Sequence, residues 1–175
     1  NGAWDAARTI NEANATLDQI ILVPGFAADN QDIMGIFWDA SANQISRQIY
    51  DDSANTWAES IFGAPDTYTE QATNTNNPHY AAAVDLTNSQ IIVIAWNAID
   101  AANADLRCLS VTESAVTQLT DVITNSTDDQ GLAALCIDTD DYWWAFRFGI
   151  STGGQTFATS VHLYVSCSKD AGSTW

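Results

Sequence analysis

Carboxylates are the side chains here best suited to chemistry. Asp18, Asp66, Glu70, Asp100, Asp128 and Asp129 all lie in polar stretches between apolar segments. Two such groups roughly 5–10 Å apart could act as general acid and base on a glycosidic bond. Asp138, Asp140 and Asp141 form a denser set that could hold a hard cation through oxygen. Their short polar stretch between two apolar runs reads better as a solvated turn. His79 stands alone. Cys108, Cys136 and Cys167 form neither a CxxC pair nor a Cys/His cluster with zinc spacing, so they read as small buried hydrophobes. Neither a metal nor a cofactor is expected. Four arginines, Arg8, Arg47, Arg107 and Arg147, are the chain's guanidinium supply, and Lys169 is its single lysine.

These groups sit in an acidic chain of 175 residues. Twenty-two Asp and Glu against five Lys and Arg give a formal charge of −17. Such a field repels phosphate, which argues against nucleic acid and anionic membranes as partners. Hydrophobic residues at 46% are too many for a disordered acidic tail. The longest aliphatic stretch, Ile91 to Trp96, is too short to span a bilayer. No basic segment followed by an apolar one opens the sequence, so a signal peptide is expected to be absent or removed. Polarity otherwise comes from Asn, Thr, Ser and Gln, a mix suited to an extracellular or virion surface.

The elements that must position these residues repeat. Phe26–Trp38, Ala83–Trp96 and Leu135–Phe146 each read as an apolar strand, an Asp, a short polar turn and a second apolar strand with a late aromatic. The turn aspartates Asp29, Asp85 and Asp138 are 56 and 53 residues apart (85 − 29 and 138 − 85). Third strands are predicted at Gln44–Tyr50, Asp105–Val111 and Val161–Cys167, with Arg47 and Arg107 in one repeat slot. Fourth strands are predicted to begin near Trp57, Gln118 and Trp175. Period-2 alternation and β-branched or aromatic residues support strands throughout. Ala6–Ala15 is Ala-rich, but Asn and Thr interrupt it and leave little helical drive.

Four antiparallel strands recurring at this period are the signature of a β-propeller blade. One such sheet cannot bury both faces alone, so blades must stack. The slot Trp38/Trp96/Phe146 would fill the gap between them. The predicted fold is an all-β propeller with three four-stranded blades. A closing outer strand occupies 1–10, and the blades occupy 18–62, 78–122 and 130–175.

The last residues read Ser168-Lys-Asp-Ala-Gly-Ser-Thr-Trp175. This resembles the Asp-box, Ser-x-Asp-x-Gly-x-Thr-Trp, of sialidase-like BNR propellers from bacteria and phages. Ser168, Asp170, Gly172, Thr174 and Trp175 fill its defined positions. A degenerate copy keeps Asp52, Thr56 and Trp57, with Ala54 in place of glycine. A more eroded copy is Glu113-Ser-Ala-Val-Thr117, and Asn1-Gly-Ala-Trp4 looks like the tail of another. The resemblance implies a structural role. The box closes the turn between third and fourth strands, with the Asp accepting turn amides and the Gly at positive φ.

It also implies that ligands bind at the channel mouth opposite the boxes. Asp18-Gln19 recurs as Asp129-Gln130 before a first strand, beside Asp128, and His79 takes the corresponding place in the middle repeat. These would converge at the mouth and offer it to a carbohydrate. Most tryptophans read as cement between blades. Trp143 has no aromatic counterpart in the other repeats and is the candidate for stacking on a sugar. The loop Ile150–Ser160 could close over the mouth.

Sialidase activity in the family needs three arginines around the substrate carboxylate, a Tyr nucleophile with a Glu partner, and an Asp acid/base. Four arginines, two of them in third strands, fit this poorly. The resemblance therefore points to a non-catalytic glycan-binding or structural module. The alternative is a glycoside hydrolase using carboxylates at the mouth. Related rings have six blades, so either a second copy completes the ring or the chain belongs to a longer propeller.

Overall fold

The computed structural model describes residues 17–24, 33–39, 44–51, 56–61, 80–98, 104–112, 115–126, 133–150 and 161–175. They form three antiparallel sheets and no helix. Sheet 1 runs β1 (Leu17–Pro24), β2 (Ile33–Asp39), β3 (Gln44–Asp51) and β4 (Thr56–Ile61) in sequence order. Sheet 2 runs β5 (Tyr80–Asp85), β6 (Gln90–Ala98), β7 (Ala104–Val111) and β8 (Val116–Gln118), and β9 (Ile123–Ser126) also pairs with β7. Sheet 3 is β10 (Ala133–Ile137), β11 (Trp143–Ile150) and β12 (Val161–Ser168). The third strands β3, β7 and β12 lie within one residue of their predicted positions.

The sheets stack in sequence order, and the first strands run side by side, β1 next to β5 and β5 next to β10. Strand alternation assigns the two faces. Ile91, Val93 and Ala95 of β6 pack with Val23, Met34 and Ile36 of sheet 1. The interleaved Ile92 and Ile94 pack with Ala133, Trp143 and Ala145 of sheet 3. A middle strand buried on both sides needs the continuous apolar run that β6 has. Each isoleucine withdrawn from water contributes about 1.5–3 kcal/mol. Tyr80, buried in the first interface, donates its hydroxyl to the carbonyl of Ile36 at 3.0 Å. The buried hydroxyl thus has a partner in the neighbouring sheet.

Three details depart from the sequence reading. The fourth strand of sheet 2 is broken. Leu109 pairs with Gln118 and Leu106 with Ile123, so five outer-strand steps span three steps of β7. The amides of Leu119 and Val122 still reach the carbonyls of Cys108 and Leu106. The surplus is a bulge at Thr120 and Asp121, and a bulge re-aims side chains. Trp175 lies in no strand.

Arg47 and Arg107 do not share a slot. Arg47 lies opposite Ile36, which faces sheet 2, whereas Arg107 lies opposite Ala95, which faces sheet 1. The register places Cys108, opposite Ile94, in the position equivalent to Arg47. A one-residue slip in a strand flips the face, and the shared Arg hid that slip.

Candidate functional site

In a meander, the hairpins between first and second strands share one end of the sheet with those between third and fourth. At that end the acidic side chains are hydrogen-bond acceptors. Asp85, buried, accepts from the amide and side chain of Asn88 at 3.1 and 2.8 Å and from Gln90 Nε2 at 2.8 Å. Asp138 Oδ1 accepts the amides of Asp140 and Tyr142 at 2.9 and 3.0 Å, and Oδ2 accepts Trp144 Nε1 at 2.8 Å. The Trp144 indole, then the Tyr142 amide, hold the Asp138 carboxyl below the usual carboxylate range. Each bond favours the ionised form. Asp141 accepts the Thr87 hydroxyl at 2.8 Å, which ties two neighbouring hairpins together. Among the described residues no group of three or more His, Cys, Asp or Glu could hold a metal ion.

The turn at Ser168–Trp175 follows the same logic. Thr174 donates its amide to Asp170 Oδ1 at 2.9 Å and its hydroxyl to Oδ2 at 2.7 Å. Ser168 donates its hydroxyl to Oδ1 at 2.9 Å and accepts the amide of Gly172 at 2.8 Å. The Thr174 hydroxyl and amide, then Ser168, hold Asp170 below its ordinary value. Ala171 and Gly172 take φ of 53° and 80°, and only glycine adopts that region without strain. Trp175 reaches back and donates Nε1 to the carbonyl of Thr120 at 3.0 Å. Asp170 points into its own turn and not into a cleft.

The arginines are also engaged. Arg47, 4% exposed, donates Nη1 to the carbonyls of Thr112 and Ala115, the latter at 3.0 Å. It thereby clamps the β7–β8 hairpin of the next sheet. Arg107 meets Asp121 at 2.9 Å, the carboxylate that the bulge presents. Arg147, buried, lies 4.3 Å from the centre of the Tyr164 ring. Arg8 is outside the described residues.

Trp143 is not a stacking platform. It is 1% exposed, and its ring lies against Gly172 and 6.4 Å from the ring of Trp175. The missing aromatic counterpart reflects packing: Trp143 fills the space beside a glycine turn that only the last repeat keeps intact. Trp144 and Phe146 occupy the opposite face of β11 and are half-buried and exposed.

The sequence reading expected a mouth at the opposite end. His79, Asp128, Asp129, Asp66, Glu70 and Asp100 lie outside the described residues, as do Asp29, Asp52 and 1–10. Asp18 is in β1 opposite Trp38, and the register puts it at this end. Sequence reasoning missed a groove of about 380 Å³ at the hairpin end. Gln118, Leu119 and Thr120 of the bulge line one wall, and Ala171, Gly172 and Ser173 line the other. No spacing rule foretells it, because it depends on the bulge.

No family model matches the chain. No curated protein matches it. Among solved structures it is similar to "Hadza microbial sialidase Hz136", at 17% identity and a TM-score of 0.52. The match covers 82% of this chain and 34% of that one, so the chain spans about a third of that structure's length. At this identity the likeness is one of fold: three antiparallel sheets arranged in a sialidase-like, all-β manner.

Proposed function

We propose that this protein is a non-catalytic propeller module of an extracellular or virion surface, binding glycan or serving as structure. Its three sheets are blades of a ring of six, completed by a second copy or by further blades. Carbohydrate is the expected ligand, met at the mouth by Asp18, His79, Asp128 and Asp129.

The engagement of the arginines is the observation that carries this reading. A sialate carboxylate needs guanidinium groups free to form paired hydrogen bonds. Arg47 is committed to the next hairpin, Arg107 to Asp121 and Arg147 to the Tyr164 ring. The −17 charge further disfavours an anionic sugar.

A fluorogenic sialoside assay, run beside calorimetric titration with neutral oligosaccharides, tests the proposal. Binding without turnover is expected, and Asp129→Asn should weaken it. Turnover abolished by Asp18→Asn or Asp129→Asn would replace the proposal with a hydrolase.

A further inference from the structure

We draw no further inference here: the strongest candidate, the apolar face of sheet 3 that carries Phe146, Leu163 and Val165, is a sheet face for which nothing in the structure shows what covers it.

Discussion

Gly172 lies flat against the indole of Trp143: a Cβ built on the glycine would come within 2.6 Å of Cζ3 and 3.2 Å of Leu119 Cδ1. The residue also sits at φ 80°, where a Cβ is strained even in open space. Gly172→Ala should therefore destabilise by about 2–3 kcal/mol, the sum of overpacking and backbone strain. Urea unfolding followed by Trp fluorescence measures it.

Trp143→Ala should cost more, about 3–5 kcal/mol, because a large buried ring is deleted from the contact between sheets 2 and 3. Oligosaccharide affinity of the surviving folded fraction should not change. A specific loss of affinity with native stability would restore Trp143 as a ligand contact.

Arg47→Met should remove a charged donor shared by two carbonyls and weaken the join between sheets 1 and 2. Hydrogen bonds to charged groups are worth about 1.5–3 kcal/mol, and a loss of that order is expected in chemical denaturation. Arg47→Lys should recover only part of it, since the lysine side chain is one atom shorter and places its ammonium short of the point that Nη1 reaches.

Acid should loosen the hairpin end first. Asp138 and Asp170 are held below their ordinary values by hydrogen bonds, so the unfolded chain binds their protons more readily. Their contribution is complete above the normal carboxylate range, about pH 4, and is lost as pH falls below it through the lowered values. Asp138→Asn and Asp170→Asn should each flatten the acid limb of a stability-against-pH curve and lower its neutral plateau, because a neutral amide cannot supply the contribution of the ionised carboxylate.

Two of the three thiols, Cys108 and Cys136, should differ in reactivity. Burial, then the nearby Asp121 carboxylate, pushes Cys108 up to about 12, so little thiolate forms near neutrality. Cys136 is exposed. A disulfide-exchange reagent at pH 8 should label Cys136 rapidly and Cys108 only on unfolding. Rapid labelling of Cys108 in the folded chain would contradict its place between sheets 2 and 3.

Strand order and the identity of the turn aspartates were legible in the sequence, because alternation and turn chemistry are local. Asp85, Asp138 and Asp170 each bind backbone within four residues, so a short window contains the whole device. The partners of Arg47 and Trp175 lie 65 and 55 residues away and were not legible. The face of Arg107 was misjudged because two arginines in neighbouring repeats invite alignment, while the sheet's register follows the apolar residues around them. The bulge at Thr120 and Asp121 leaves no pattern, since its signal is an interruption. The mouth residues rest on the repeat and the resemblance.

Among the described sheets, sheet 2 packs against a described sheet on both sides. In a one-dimensional stack, cooperativity passes only between adjacent units, and the outer units fray first. Amide protons of Ile91 to Ala95 should be the slowest in the chain to exchange with deuterium, and the terminal hairpins should open before them.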